Sequence, residues 1–213
     1  MHLTRRTALT GLAVGSALIR PALAQAAPLQ ETPEQILGPF YPLRRGADSD
    51  ADLTMVDGRS ARALGDAIEV SGRVLTVKGE PVEGAMLELW QANAAGRYAH
   101  GSDPNTTAPL DPNFQGYAKL RTDRTGAFRF VTVKPGAYPI GGGRSRTPHI
   151  HFDISGQTDR LATQMYFPNE ALNETDIVRK DLGRMAGLAT ARDDGKTADG
   201  RRRLVWDIVL TNG

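Results

Sequence analysis

Short apolar runs separated by turn residues dominate the chain after residue 67, and this pattern limits the folds that it can adopt. Runs of five to seven residues rich in β-branched and aromatic side chains are typical of strands. They lie at residues 68–74, 85–91, 117–121, 128–133, 149–154, 163–167 and 204–210. Between them, stretches such as Lys78-Gly79-Glu80-Pro81 favour turns. Seven short strands with such turns predict an all-β fold, an antiparallel β-sandwich.

Helical signals are few. Residues 176–188 carry the clearest helical pattern, and Thr32 and Pro33 predict one short helical turn, with threonine as N-cap and proline at the first position. Residues 92–116 have little regular pattern, and loops of this length in compact domains are usually functional. We therefore expect little helix, and long loops that build an active site.

The first 24 residues have the composition of an export signal. Arg5 and Arg6 precede a weakly apolar run at 7–19, and Ala22-Leu23-Ala24 forms an A-x-A cleavage site. This run is too short for a membrane span. The alternative, a terminal helix of the folded domain, is disfavoured because the segment lacks acidic residues. We predict a twin-arginine signal peptide at 1–24, an extended arm at 25–66 and one domain at 67–213.

The leader also predicts the compartment in which the protein acts, and its removal changes the net charge of the chain. We expect the twin-arginine export machinery to deliver it to the periplasm or the extracellular space. Of the 26 Lys and Arg and 24 Asp and Glu residues, the leader removes three arginines, which leaves 23 basic against 24 acidic residues. The basic cluster Arg201-Arg202-Arg203 is interpreted as a solvated segment, so no nucleic-acid partner is predicted. Cysteine is absent from the chain, which excludes disulfides.

The stretch Arg146-Thr147-Pro148-His149-Ile150-His151-Phe152 carries the strongest chemical signal. Successive side chains on a strand point to opposite faces, so His149 and His151 share one face while Ile150 and Phe152 share the other. Two imidazoles at i and i+2 recur in metal sites. The alternative is a pair of partly exposed histidines on an edge strand, and further residues are needed to decide.

Two tyrosines supply further donors. Tyr98 lies at the start of the long loop, and Tyr138 follows a predicted strand. Ionising a free tyrosine at neutral pH costs about 4 kcal/mol, because its pKa is near 10. A strong Lewis acid offsets this cost for two phenols, and ferric iron suits phenolate oxygen. Zinc would be expected with more histidine, carboxylate or cysteine ligands.

Five sequence blocks around these residues resemble one enzyme family. They are Asn93-Ala94-Ala95-Gly96-Arg97-Tyr98, Asp111-Pro112-Asn113-Phe114, Lys134-Pro135-Gly136-Ala137-Tyr138-Pro139, the histidine block above, and Thr163-Gln164-Met165-Tyr166-Phe167. In kind and order they are similar to blocks of the intradiol ring-cleavage dioxygenases, over about residues 38–167. The resemblance implies a non-haem Fe(III) enzyme. Such an enzyme uses O2 to cleave a small catechol-type aromatic diol between its hydroxylated carbons, giving a muconate-type diacid.

The same resemblance implies roles for individual residues. The iron ligands would be Tyr98, Tyr138, His149 and His151, with Tyr138 leaving when substrate binds. The catalytic residues would be Arg146, which opposes negative charge on the substrate, together with Tyr138 and Gln164. The substrate contacts would be Tyr41, Ile140, Arg146 and Gln164, with Tyr41 placed by the segment Gly38-Pro39-Phe40-Tyr41.

Two questions stay open at this stage. After Tyr138-Pro139 the chain has Ile140 and Gly141-Gly142-Gly143, where members of the family that act on a carboxylated diol carry a tryptophan and a longer polar loop. The ring substituent is therefore open, as is the oligomeric state. Residues 79–85 and 122–128 also resemble transthyretin-like (prealbumin-like) sandwich domains, so a non-catalytic binding module is the alternative. A binding module has no reason to keep four metal ligands, which favours an enzyme.

Overall fold

The computed structural model describes residues 27–43 and 49–213, and most of the regular structure in these ranges is β-strand. The strands are β1 (Ala67–Thr76), β2 (Met86–Trp90), β3 (Tyr117–Arg121), β4 (Ala127–Val133), β5 (Tyr138–Gly141), β6 (Arg144–Arg146), β7 (His149–Ser155), β8 (Arg160–Tyr166), β9 (Arg192–Lys196), β10 (Arg202–Val205) and β11 (Ile208–Leu210). The helical part consists of α1 (Ile177–Asp181) and 3₁₀ turns at Ala171–Glu174 and Gly183–Gly187. The prediction of a mostly β chain with little helix is confirmed.

One sheet has four antiparallel strands in the order β3-β2-β7-β8. In β7, Ile150 and Phe152 point into the main hydrophobic core, while His149 and His151 point to the opposite face. The register places His151 opposite Trp90 on β2. The outer face of this sheet therefore carries the chemical residues, and its inner face carries the packing residues.

The second sheet is mixed, which differs from the wholly antiparallel arrangement that the turn pattern predicts. Strand β1 pairs antiparallel with β4, but parallel with β10 and β11, while β9 pairs antiparallel with β10. The predicted strand at 204–210 is divided into β10 and β11, which pair with different halves of β1. A parallel pair needs a long connection. Over a hundred residues separate β1 from β10, whereas the antiparallel prediction rests on short turns between sequence neighbours.

The core lies between the two sheets. The Phe152 ring of β7 contacts the rings of Phe128 and Phe130 on β4, with centroid distances of 6.3 and 6.1 Å, and that of Trp206 at 5.1 Å. All four side chains are buried. Burying one such ring stabilises the fold by roughly 1.5–3 kcal/mol. The core thus holds β7 rigidly and gives its two histidines a fixed base.

The described parts of the N-terminal arm run along the domain. Thr32 N donates to Val209 O at 3.0 Å, and Gln35 N donates to Ala162 O at 2.8 Å. The predicted helical turn at 32–35 is therefore wrong, because these N–H groups bond neighbouring strands and the segment has no helical structure. The Thr32 hydroxyl accepts from Val209 N at 2.9 Å instead of capping a helix. Further along, Leu53 is fully buried in the core.

Two sequence predictions concern the membrane and the leader. Within 27–43 and 49–213, no helix has the length and apolar character needed to cross a membrane. The predicted signal peptide at 1–24 lies outside the described residues. Export therefore stays a prediction.

Candidate metal centre and substrate cavity

The histidine pair of β7 forms the base of the site. His149 and His151 are buried, and their Nε2 atoms lie 3.2 Å apart. The indole ring of Trp90, from the neighbouring strand, stacks on His151 with centroids 5.0 Å apart and planes 6° apart. Strand geometry and this stacking therefore direct the Nε2 atoms of the two histidines to one point.

Two tyrosines complete the cluster from separate segments. Tyr138 begins β5, and its Oη lies 3.4 Å from His149 Nε2. The Tyr98 ring lies edge-on to that of Tyr138, with centroids 5.4 Å apart, and 6.3 Å from that of His151. The structure thus brings together all four side chains that the sequence predicts as ligands.

The long loop places Tyr98 through polar contacts with its own backbone. Asp103 accepts from Tyr98 N at 2.7 Å and from Asn105 N at 2.8 Å, while Asn105 Nδ2 donates to Gly96 O at 3.0 Å. Gly96 has a φ of +76°, and a Cβ there would lie 2.3 Å from Ala137 O. Only glycine permits this approach. The loop therefore packs against the residue before Tyr138 and sets the two phenols side by side.

The protonation pattern directs lone pairs to the centre of the cluster. His149 Nδ1 donates to the Thr147 carbonyl at 2.6 Å, since a carbonyl oxygen only accepts. The neutral His149 ring therefore presents an unprotonated Nε2 to Tyr138 and His151. Tyr98 Oη, in the ring beside Tyr138, is buried without a hydrogen-bond partner among the described residues. Such polar atoms are costly to bury unless a ligand or ion satisfies them.

Burial dominates the acid-base properties of all four side chains. It lowers the pKa of His149 and of His151 well below the usual value, and the nearby positive charge of Arg146 adds to the effect on both. Burial likewise raises the pKa of Tyr98 well above its usual value and raises that of Tyr138. The imidazoles are thus in the neutral form that binds metals. The phenols need a strongly Lewis-acidic cation to lose their protons at neutral pH.

The donor set fits ferric iron. Among the described residues, no group of three or more His, Cys, Asp or Glu side chains is placed to hold a metal ion. A metal at this cluster would therefore need the tyrosine oxygens as well as the two imidazole nitrogens. Zinc usually takes nitrogen, sulfur or carboxylate ligands. A hard trivalent ion instead offsets the cost of ionising two buried phenols.

Arg146 is held next to this cluster by a buried polar network. Its Nε donates to Asp176 Oδ2 at 2.8 Å, and its Nη2 donates to Gln164 Oε1 at 2.6 Å. Burial acts to lower the pKa of Arg146, but the charges of Tyr138 and Asp176 oppose it and the net shift is upward. The guanidinium therefore stays charged and is fixed in orientation.

Two cavities approach the cluster. The larger, of about 720 Å³, is lined by Tyr138, Ile140 and Arg146. The smaller, of about 390 Å³, is lined by Tyr98. Phe40 lines both cavities. Tyr138 and Arg146 are thus the cluster residues that a ligand in the larger cavity would meet.

The other predicted site residues have different surroundings. Ile140 is 36% exposed and lines the larger cavity, as expected for a pocket residue. Gln164 is fully buried behind Arg146, and its Nε2 donates to Ile36 O at 3.0 Å. Tyr41 is not among the residues that line either cavity, and its hydroxyl donates to Glu88 Oε2 at 2.7 Å. Its neighbour Phe40 takes the position that the sequence assigns to Tyr41.

Three functional positions escape the sequence pattern. In the sequence Asp176 marks only the start of a weak helix, and in the structure it caps α1 by accepting from Arg179 N at 2.9 Å. Its bond to Arg146 has no local signal. Thr147 acts through its carbonyl, which any residue would supply. For Phe40 the sequence offered no signal, because Pro39 and Phe40 form a turn, to which the alternation of side chains along a strand does not apply.

Comparisons with known proteins agree with this geometry. A family model described as Dioxygenase matches residues 36–212. Protocatechuate 3,4-dioxygenase beta chain from Burkholderia cepacia is 46% identical over 155 residues, which cover 71% of this chain and 66% of the relative. Catechol 1,2-dioxygenase 1 from Acinetobacter lwoffii is 29% identical over 199 residues, which cover 85% of this chain and 62% of the relative. The chain thus spans slightly less than two thirds of either relative.

A solved structure extends the similarity to the fold. It is the dioxygenase domain of a dioxygenase carbohydrate-binding protein fusion from Streptomyces sp. SirexAA-E. The two structures align with a TM-score of 0.64 and 27% sequence identity, covering 86% of this chain and 100% of that one.

Proposed function

Because the chain belongs to the intradiol ring-cleavage dioxygenase family, we propose that it cleaves a catechol-type aromatic diol between its two hydroxylated carbons. The co-substrate is O2, and the product is a muconate-type diacid. The observation that carries this proposal is the convergence of two phenols and two imidazoles beside a cavity that Arg146 also lines. The two curated relatives are named for protocatechuate and catechol, which are both aromatic 1,2-diols.

In this proposal Tyr98, Tyr138, His149 and His151 hold a non-haem Fe(III) ion. When bound, ferric iron supplies the Lewis acidity that allows the diol to bind in its ionised form and react with O2. Tyr138 is the ligand that exchanges with substrate, because it lines the larger cavity. Its Oη then takes up a proton that the diol loses.

Arg146 opposes the negative charge that grows on the substrate. A charged donor is most effective when its orientation is set before the reaction. Asp176 and Gln164 hold two of the Arg146 nitrogens, so little reorganisation is required. Gln164 thus acts by positioning Arg146.

Two finer points complete the proposal. The two facing sheets form a transthyretin-like sandwich, which the ring contacts across the core support. The protein leaves the cytoplasm by the twin-arginine route, which Arg5-Arg6 and the Ala22-Leu23-Ala24 cleavage pattern support. A non-catalytic binding module is disfavoured, because it would leave the buried Tyr98 Oη without function or partner.

The test uses the purified protein after iron reconstitution. We expect a coloured protein, since tyrosinate-to-iron charge transfer absorbs visible light. Oxygen uptake with catechol, protocatechuate and hydroxyquinol should accompany formation of the ring-opened diacid, identified by mass. Zinc-loaded protein is the control and should be colourless and inactive. Iron-loaded protein that neither absorbs visible light nor consumes O2 with any of these diols would reject the proposal.

A further inference from the structure

We propose that the substrate is an uncharged aromatic diol, with no carboxylate on its ring. This inference rests on the proposed function and narrows the substrate class of the same site. It is carried by the wall of the larger cavity, where Arg146 is the one charged side chain among the described lining residues.

Four segments form the wall away from Tyr138 and Arg146, one of them the N-terminal arm with Pro39 and Phe40. The β5–β6 hairpin contributes Pro139 and Ile140, and α1 contributes Ile177 and Val178. The long loop contributes neutral residues, including Asn105. The substituent opposite the two hydroxyl groups of a bound diol points away from the diol oxygens. It would therefore meet apolar or neutral groups at each of these walls.

Several polar groups of the wall already have partners. Asn105 Nδ2 donates to Gly96 O at 3.0 Å, and the Thr107 hydroxyl donates to Asn105 Oδ1 at 3.3 Å. Two nitrogens of Arg146 donate to Asp176 and Gln164. A ring carboxylate would find its one charged partner among the described lining residues in the remaining N–H groups of this same guanidinium. That contact would remove the guanidinium from the charge that it opposes at the reacting end of the diol.

This wall has a predictable effect on substrate preference. A carboxylate on the ring is ionised at neutral pH, and moving it into the cavity replaces hydration by neutral contacts. A charged hydrogen bond that is missing lowers kcat/KM by about 10–100-fold relative to a site that supplies it. The enzyme should therefore favour catechol and 4-methylcatechol over protocatechuate.

Ile140 is the position at which the preference can be reversed. It is 36% exposed, so a longer side chain there reaches the cavity without full burial of its end. The glycines that follow it have space around them, since a Cβ on Gly141 or Gly143 would have no neighbour within 4 Å among the described residues. Replacing Ile140 by lysine would place an ammonium group at the wall. Methionine, which is long and uncharged, is the matched control.

The experiment compares kcat/KM for catechol, 4-methylcatechol and protocatechuate, measured by oxygen uptake on iron-loaded protein. The wild type should favour both uncharged diols by at least about tenfold. Ile140→Lys should raise kcat/KM for protocatechuate and so narrow this gap by about tenfold. Ile140→Met should keep the wild-type ratio of kcat/KM values. Met185→Lys, at an exposed turn residue that is not among those lining this cavity, controls for added charge and should also keep that ratio. Ile177→Lys tests the opposite wall if Ile140→Lys does not fold.

The outcomes separate this inference from the proposed function. A wild type that turns over protocatechuate as well as catechol would overturn the inference and leave the dioxygenase proposal intact. If neither lysine variant narrows the preference for uncharged diols, the neutral wall of the larger cavity does not cause that preference, and the inference is overturned. Iron-loaded protein that consumes no O2 with any diol would reject the proposed function and this inference with it.

Discussion

Arg146 and Asp176 form a buried ion pair, with the arginine Nε 2.8 Å from the aspartate Oδ2. Their side chains are 6% and 0% exposed. The same Oδ2 accepts from Thr147 N at 2.8 Å, and Oδ1 accepts from Arg179 N in the first turn of α1. One carboxylate therefore links the charged group of the cavity, the segment that leads into the histidine strand, and the helix that walls the cavity.

Asp176→Asn should lower both stability and turnover while iron remains bound. The change keeps the side-chain shape but leaves the Arg146 charge buried without its counter-charge, at a cost of about 3 kcal/mol in unfolding free energy. Turnover should fall on the order of tenfold or more as Arg146 loses its orientation. Denaturant unfolding, iron content and kcat check this. Asp193→Asn is the control, because its pair with Arg202 is exposed to solvent and should contribute little to stability. Equal losses in the two variants would contradict the prediction.

Replacing Arg146 should have a different effect from replacing a ligand. Arg146→Ala should retain iron and colour and lose on the order of 10²–10³ in turnover, because its charge acts on substrate. His151→Ala should lose iron, since it removes a nitrogen that points into the cluster. Iron content beside oxygen uptake decides this, with unfolding measured in parallel because Arg146→Ala leaves Asp176 unpaired. An iron-free Arg146→Ala that still folds, or an iron-loaded and active His151→Ala, would show that these roles are wrong.

The two tyrosines should differ although both are proposed ligands. Tyr138 lines the larger cavity, whereas the backbone of Tyr98 is held by Asp103 in the loop. Tyr138→Phe should keep most of the iron and change the response of the visible spectrum to catechol added without O2. Tyr98→Phe should lose more iron. Identical iron content and identical spectra for the two variants would refute the assignment of Tyr138 as the ligand that exchanges.

Gly38→Ala should lower the affinity of the cluster for iron, although Gly38 is not one of the proposed ligands. A Cβ at Gly38 would lie 3.1 Å from His151 Cε1, so the ring must shift. Gly79→Ala is the matched control, because Gly79 has φ +79° against +75° for Gly38, and a Cβ there would have no neighbour within 4 Å among the described residues. Both changes should cost about 1–2 kcal/mol of backbone strain. Only Gly38→Ala should lower iron affinity, as measured by competition with a chelator; equal iron affinity in both would contradict this.

Export should depend on the arginine pair. Replacing Arg5 and Arg6 together by lysine should leave the precursor inside the cell, because the pair is the part of the leader that the receptor recognises. Arg20→Lys leaves the pair intact and should be exported normally. Cell fractionation with immunoblotting measures the outcome, and unchanged export of the double variant would exclude this route.

Local patterns in the sequence were sufficient to predict the strands that contribute to the core. Strand β3 lies at the predicted residues, and β7 begins at the predicted His149, because alternation along a half-buried strand is a property of neighbouring residues. The same alternation predicts that His149 and His151 share a face. Strands β5, β6 and β9 were missed. The β5–β6 hairpin is rich in glycine and lacks the alternation of apolar and polar residues that predicts a strand. Strand β9 is exposed throughout, so only its pairing with β10 defines it.

The sequence by itself determined the two-residue period of the β7 histidines and the donor types of the cluster. Tertiary structure alone decided the parallel pairing of β1 with β10 and the choice of Phe40 over Tyr41 at the cavity. It also decided the role of Asp176, which lies 30 residues from Arg146. The physical reason is range: side-chain alternation acts between adjacent residues. A buried ion pair or a cavity wall instead depends on which distant segments pack together, and that is set by the whole core.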